Sequence, residues 1–369
     1  MKTAVTLFFT MMFLACGKEA PIEAQNEVEN HTARVLELEA EIGLELGDSN
    51  YVFGVIQDLD FTSDGNIAVL DAGKNVVKVF SSQGDFMGKL GGEGEAPGEF
   101  LNPRGIACLS DGRIAVTDPF SGEVELFTCN MQYSETFSGF TSRAPFVITA
   151  AGNGFAGELG GMNRDAGIVT TSVALWDMES DSSTKFSEIE NTFSPEFMLQ
   201  RIMKPEAAMC ADEENIYYAT PATEHYSVSV YPMDLSTPYE LSFPGYTPVE
   251  KTAEDLEADI QAYEYRMQGM AAAGRGGRLA SITYSPPENY YATGSIGIDS
   301  GGNLWVQRGW ESNPTFDLFP PGATEPAETV TADPELHLED FTFVITPNGI
   351  AAFESNPEDF PRVLVLSLQ

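Results

Sequence analysis

The stretch IQDLDFTSDGNIAVLD at 56–71 returns as RGIACLSDGRIAVTD at 104–118, and the two superpose at an offset of 47 residues. Asp64-Gly65 falls on Asp111-Gly112, Ile67-Ala68-Val69 on Ile114-Ala115-Val116, and Asp71 on Asp118. The same offset carries Val77-Lys78-Val79-Phe80 onto Val124-Glu125-Leu126-Phe127. Four later segments share that last pattern: Val173-Ala174-Leu175-Trp176, Val228-Ser229-Val230-Tyr231, Phe316-Asp317-Leu318-Phe319 and Val363-Leu364-Val365-Leu366. Each reads apolar, variable, apolar, bulky apolar, which suits a strand buried on one face and partly on the other. Ahead of each lies a turn such as Gly152-Asn153-Gly154 or Pro347-Asn348-Gly349, whose residues accept the positive φ of tight hairpins.

Six such units, spaced at some 40–50 residues, predict an all-β chain folded as a six-bladed β-propeller. A large sandwich has no reason to repeat so regularly. Complete units also hold a fourth strand, as in Phe86–Leu90 or Tyr239–Phe243. The sixth unit has none, because the chain stops at Gln369 right after its third strand. At the other end, Ala33–Ala40 alternates apolar and polar residues and stands unused. Residues 33–42 are therefore expected to supply the missing outer strand and remove an exposed edge. The glycine-rich stretch GKLGGEGEAPGEFLNP at 88–103 is then punctuation between units one and two: it is not GxGxxG, and its glutamates would repel phosphate.

The chain's start reads as an export signal. Lys2 is followed by the apolar run Ala4–Leu14, too short to span a bilayer. The close Phe13-Leu14-Ala15-Cys16-Gly17 resembles a bacterial lipobox, with Ala15 and Cys16 matching it and Phe13 and Leu14 departing from it. On that resemblance residues 1–15 are removed and Cys16 is acylated; an ordinary cleaved secretory signal is the alternative. Residues 16–32 read as a flexible acidic tether, leaving 33–369 for the propeller. With 56 acidic against 19 basic residues, a net of −37, the surface repels nucleic acid and anionic headgroups. The membrane is then met through the lipid anchor alone. Cys108, Cys129 and Cys210 form no CxxC or zinc pattern; a Cys108–Cys129 bridge is conceivable, and Cys108 and Cys210 read as small buried apolar residues.

The run Pro103-Arg104-Gly105-Ile106-Ala107, then Asp111–Asp118, then Val124–Phe127, resembles an NHL repeat. With the lipobox, the chain resembles the six-bladed propeller lipoproteins of bacterial envelopes, specifically over 56–130 and loosely beyond. That resemblance implies fold and an envelope location, periplasmic or surface-exposed, and little chemistry.

Between units four and five, about 247–276, the repeat is interrupted by a predicted helix. Thr247 is its expected cap, with Pro248 in the first turn and Glu250 three after the cap. Leu256, Ile260, Tyr263, Met267 and Met270 recur at helical spacing, and Gly274 ends the run. Such a helix packs over the propeller, or serves as a lid or docking element.

No HExxH, GxSxG or Walker pattern is present, and beyond the tether only His225 and His337 remain. That supply is too small for the histidine-rich zinc site that the resemblance to amidating propeller lyases would require. Asp71 and Asp118 are expected to cap the turns that follow them rather than to hold metal. Of the seventeen basic residues after the tether (19 less Lys2 and Lys18), eleven fall in loops on one propeller face. They are Lys74, Arg104, Arg143, Arg164, Arg201, Lys204, Lys251, Arg266, Arg275, Arg278 and Arg308. Exposed loops collect charge of both signs, so this excess over chance is small. Tyr290, Tyr291 and Trp310 lie in or near the same loops and could stack on a sugar or peptide side chain. Arg201, Arg275, Arg278, Arg308, Tyr290 and Trp310 are the candidate binding residues. The reading is a non-enzymatic binding or scaffold module on the envelope, taking a carbohydrate, peptide or protein partner on the loop-rich face, with no cofactor. The alternative, a metal-dependent hydrolase or lactonase, would need calcium and convergent carboxylates at the channel mouth.

Overall fold

Strands here are short runs of β-branched and aliphatic residues broken by turns whose glycines adopt positive φ, Gly65 at +76° and Gly112 at +87°. The computed structural model describes residues 34–140, 143–272, 282–354, 357 and 359–369. The export signal, Cys16, the tether, Gly274, Arg275 and Arg278 lie outside the described residues.

The chain opens with β1 (Arg34–Ile42). Blade one is β2 (Ile56–Phe61), β3 (Ile67–Asp71), β4 (Val76–Phe80) and β5 (Phe86–Leu90). Blade two is β6 (Gly105–Cys108), β7 (Ile114–Asp118), β8 (Glu123–Phe127) and β9 (Tyr133–Phe137). Blade three holds the longest strands: β10 (Ile148–Ala151), β11 (Gly154–Asn163), β12 (Ile168–Asp177) and β13 (Ser182–Thr192). After α1 (Pro195–Met203) comes blade four, β14 (Ala208–Ala211), β15 (Asn215–Ala219), β16 (Ser227–Pro232) and β17 (Tyr239–Ser242). Following α2 (Ala253–Ala272), blade five is β18 (Thr293–Ile298), β19 (Leu304–Arg308), β20 (Thr315–Phe319) and β21 (Glu328–Ala332). Blade six has only β22 (Thr342–Thr346), β23 (Gly349–Phe353) and β24 (Val363–Leu368) of its own.

Its fourth place is taken by β1. That strand runs antiparallel to β24, from Leu36 opposite Leu368 to Ile42 opposite Val363. Its first residues also pair in parallel with blade five, Arg34 opposite Val330 and Leu36 opposite Ala332. The N-terminal strand therefore closes the ring, as expected, and additionally links the last two blades through backbone hydrogen bonds.

Between blades the cement is apolar, in one buried cluster per junction. Leu70, Val77 and Val79 of blade one meet Ile106, Val116 and Phe127 of blade two. Leu126 meets Phe155 and Trp176, Val173 meets Ile216 and Tyr218, and Val228 meets Ile296 and Phe319. Trp305 and Phe316 of blade five meet Leu36, Phe343 and Leu364; Ile42, Phe353 and Val363 meet Ile56 and Phe80. Six junctions make a complete ring.

The joint at 88–103 is a turn, as expected. Gly91 has a φ of +79°, and a Cβ there would sit 2.1 Å from the Phe100 ring, so only glycine fits. Asp118 caps the turn that follows it, as expected, but the Asp71 carboxylate instead holds the incoming segment and pairs with Lys78 at 3.3 Å. Asp71 accepts from the backbone N–H groups of Gly54 and Val55, in the segment entering blade one, at 3.0 and 3.1 Å. Asp118 accepts from Phe120 in the following turn at 3.1 Å, and from Leu101 and Asn102 in the incoming joint at 2.7 and 2.8 Å. The incoming joint passes beside the end of the second strand, where a buried carboxylate reaches its orphan donors.

The helical insertion starts later than its sequence suggests. Thr252 is the cap: its Oγ1 accepts from Asp255 N–H at 3.2 Å while Asp255 Oδ2 accepts from Thr252 N–H at 3.3 Å. Thr247–Glu250 stays extended because Val249 and Lys251 are already hydrogen-bonded to Tyr290 and Glu288. Only Met267 of the expected stripe is buried and Ile260 is exposed, so α2 lies shallowly on the propeller. The three cysteines are free thiols, with no Cys108–Cys129 bridge; Cys210 is buried, Cys108 half-buried and Cys129 exposed.

Leu36 is fully buried between blades five and six. Leu36→Ala is expected to cost about 2–5 kcal/mol, read as a lowered urea midpoint. Removal of residues 33–42 is expected to unfold or oligomerise the whole protein by gel filtration; a monomer with an unchanged melt would refute closure by β1.

Candidate functional site

Inner strands of all six blades enclose one central cavity of 1730 Å³. Each inner strand begins at the same face. Arg104 precedes β6, Arg143 precedes β10, and Lys204 and Glu206 precede β14, so these side chains gather at one mouth. Three departures from the repeat stand round it. β11 and β12 run 10 residues each, past the ends of the neighbouring blades; they carry Glu158, Met162 and Thr171 on the cavity wall, and the turn between them adds Arg164. α1, capped by Ser194 accepting from Phe197 N–H at 3.0 Å, adds Phe197, Met198 and Arg201. α2 contributes Arg266, whose guanidinium donates to the Ile202 carbonyl.

The lining inverts the charge of the molecule. Six cations (Arg104, Arg143, Arg164, Arg201, Lys204 and Arg266) face it against four carboxylates, Asp58, Asp60, Glu158 and Glu206. The whole chain has 56 acidic and 19 basic residues. Tyr218 donates to Glu158 at 2.6 Å and Arg201 lies 3.5 Å away. Arg201 also donates to Thr171 Oγ1 at 3.3 Å. Lys204 is open to the cavity yet ringed by protein, and burial, with the Arg201 charge beside it, lowers its pKa against the pull of Glu158. Glu206, likewise open to cavity water but crowded by the wall, is pushed up by burial and by Glu158, against Arg104 and Arg266.

Deeper in the channel Asp58 and Asp60 extend from β2 to the free edge of β6. Asp58 accepts from Ile106 N–H at 3.0 Å and Asp60 from Cys108 N–H at 2.7 Å. Ser295 Oγ accepts from Phe343 N–H at 3.0 Å in the same manner between blades five and six. These side chains satisfy inner-edge donors that the sheet leaves unpaired. Enclosure by the channel walls pushes Asp58 up to about 8, with the charge of Asp60 adding to it and the Ile106 hydrogen bond opposing it. Asp60 is pushed up to about 6 for the same first reason.

The candidate residues from sequence divide. Arg201 lines the cavity. Arg308 instead forms a half-buried fork with the buried Asp317, Nε to Oδ2 at 3.0 Å and Nη2 to Oδ1 at 2.8 Å, and lies over Phe243 and Trp310. Trp310 packs against Tyr226 and Tyr246, with centroids at 6.1 and 5.0 Å. Tyr290 donates to Asp255 and so ties down the start of α2. Lys251 sits beneath the same helix, 2.5 Å from Asp259. Three of the six candidates thus serve packing, and Arg275 and Arg278 fall outside the described residues. Two cavity-forming elements escaped the sequence reading: α1, signalled by Ser194-Pro195-Glu196, and the long third blade, signalled by the β-branched run Ile168–Val173. Among the described residues no group of three or more His, Cys, Asp and Glu side chains is placed to hold a metal ion.

A family model described as a 6-bladed beta-propeller matches residues 17–153. No curated protein matches the sequence. The fold is similar to that of a candidate exported protein from Bacteroides fragilis, 14% identical over 91% of this chain and 96% of that one, TM-score 0.51. It is also similar to a member of the duf4221 family from Bacteroides vulgatus, 8% identical over 91% and 99%, TM-score 0.50. Virginiamycin B lyase from Staphylococcus aureus is 10% identical over 90% and 100%, TM-score 0.46. The chain is a six-bladed β-propeller. At these identities the likenesses concern the propeller alone.

The raised carboxyls give the propeller a pH signature. A carboxyl whose pKa is higher folded than unfolded binds its proton more tightly in the native state, so stability falls as pH rises from about 4 to about 8. Asp58→Asn, whose amide oxygen still accepts from Ile106 N–H, is expected to gain on the order of 2 kcal/mol over wild type at pH 8 and little at pH 4. Urea midpoints at the two pH values check this, and an equal shift at both would contradict the raised carboxyl.

Proposed function

We propose that this propeller is an envelope receptor whose loop-rich face takes an anionic partner into the mouth of the central cavity. The observation that supports it is the charge inversion: among the described residues, six of 15 basic side chains, against four of 51 acidic ones, line a single cavity. A mouth walled by low-dielectric protein focuses that field, while the acidic exterior turns anions away elsewhere. Arg guanidinium groups offer planar forks matched to carboxylate geometry. Titration calorimetry at low ionic strength with oligogalacturonide and oligo-glutamate as probes is expected to show saturable binding to at least one. That binding should weaken at least tenfold in the Arg201→Glu, Lys204→Glu double variant and fade by about 0.5 M salt. Wild type that binds neither probe, or a double variant that binds as well, would overturn the proposal.

The location follows from the same reading. The lipobox-like close at Cys16 and the resemblance to NHL-type lipoproteins favour an acylated N-terminus. Inner strands start at the mouth and successive strands alternate in direction; β1, antiparallel to β24 and parallel to β21, thus begins at the opposite face. Among the described residues no helix is long and apolar enough to cross a membrane. Cys16→Ser is expected to move the protein from the membrane to the soluble fraction of its native host, and unchanged membrane retention would rule lipidation out.

A further inference from the structure

At the mouth the cations are not equally occupied. Arg201 is held by Glu158 and Thr171, and Arg266 by the Ile202 carbonyl. Arg104 is different. Its Nη1 donates to Gln57 Oε1 at 3.0 Å, while its Nε is buried with no hydrogen-bond partner. Gln57 takes up one of the five guanidinium donors, and the rest of the Arg104 side chain reaches the cavity wall. Glu206 and Glu158 are the carboxylates whose charges reach the Arg104 and Lys204 side of the mouth, and burial raises the pKa of Glu206. An acceptor from outside thus meets incompletely neutralised cations.

Two further observations bear on what carries the acceptor. Neutral donors and acceptors stud the rest of the wall, among them Gln57, Thr149, Asn191, Gln200 and Gln307. Such groups suit a ligand rich in hydroxyls. An extended peptide would instead seek unpaired strand edges to add to. Here Asp58, Asp60 and Ser295 already occupy inner-edge N–H groups of β6 and β22. The cavity, at 1730 Å³, exceeds the roughly 300–1,000 Å³ of sites for single small molecules, so it has room for several linked sugar rings.

We propose that the mouth binds a carboxylated oligosaccharide, with a uronate carboxylate seated on Arg104 and Lys204 and the sugar hydroxyls on the neutral polar wall. This deepens the anion-receptor reading and rests on it. The seat joins two kinds of cation: Arg104 offers a planar guanidinium at the cavity wall, and Lys204 supplies a second charge without a fixed fork.

Titration calorimetry with oligogalacturonide, its methyl ester and oligo-glutamate tests the class and the seat together. The free acid is expected to bind at least tenfold more tightly than both the ester, which keeps the backbone but not the charge, and the peptide. Lys204→Gln and Arg104→Gln are each expected to weaken the free acid at least tenfold with unchanged circular dichroism, and Lys89→Gln on β5, exposed and away from the cavity, less than threefold. If Arg104→Gln alone misfolds, Lys204→Gln still decides the seat. Oligo-glutamate binding as tightly as oligogalacturonide would overturn the glycan inference and leave the anion receptor standing. An ester binding as well as the acid would remove the carboxylate seat. Failure of every acidic probe would remove both readings.

Discussion

A propeller is held together by its last junction. Five of the six blade contacts here join segments adjacent in sequence, and these form whenever neighbouring hairpins bury their faces. The sixth requires the two ends of the chain to meet. β1 achieves this by completing the blade begun by β22–β24, while its first residues also pair with β21. Leu36 and Ile42, at opposite ends of that one strand, enter the apolar clusters on either side of blade six. Without the strand, β24 and β21 would each present an open edge, and two clusters would lose a wall.

Once the ring is closed, its geometry decides where function can sit. Inner strands converge on the axis, and their channel-facing edges lack sheet partners. Part of the lining is therefore spent on the scaffold itself, with Asp58 and Asp60 bridging from blade one to blade two. The ends of those strands are free to vary. The long third blade, α1 and α2 all interrupt the repeat on the mouth side, and each brings a cation to the cavity. On the proposed reading, an acidic exterior with a basic mouth would steer an anion by exclusion as well as attraction.

Much of the fold was legible because repetition carries it. The offset linking Asp64-Gly65 with Asp111-Gly112 locates blades one and two, and the alternation in Arg34–Ile42 marks a strand in search of a partner. The site was less legible. Arg308 and Arg201 look alike as basic residues in exposed loops, yet Arg308 is paired inside with Asp317 and Arg201 faces the cavity. Nothing local separates them, because Asp317 lies on the next strand and Glu158 lies in another blade. Tyr290 and Trp310, read as stacking surfaces, are taken up by Asp255 and by the Tyr226–Tyr246 cluster for the same reason. The helix cap shows the limit at short range: Thr247-Pro248 satisfies the local rule, but strand-like pairing of Val249 and Lys251 with Tyr290 and Glu288 holds that segment out of the helix.

By itself the sequence determined the number of blades, the turns between their strands and the strand that seals them, since all of these follow from hydrophobic period and glycine placement within a few residues. Only the tertiary structure decided which charges share a cavity. Arg104, Arg143, Arg201 and Arg266 are far apart along the chain and belong to different joints, and they meet because closure brings the joint ahead of each inner strand to one rim. Electrostatic fields depend on distances through space, and no pattern along the chain encodes those distances until the ring is shut.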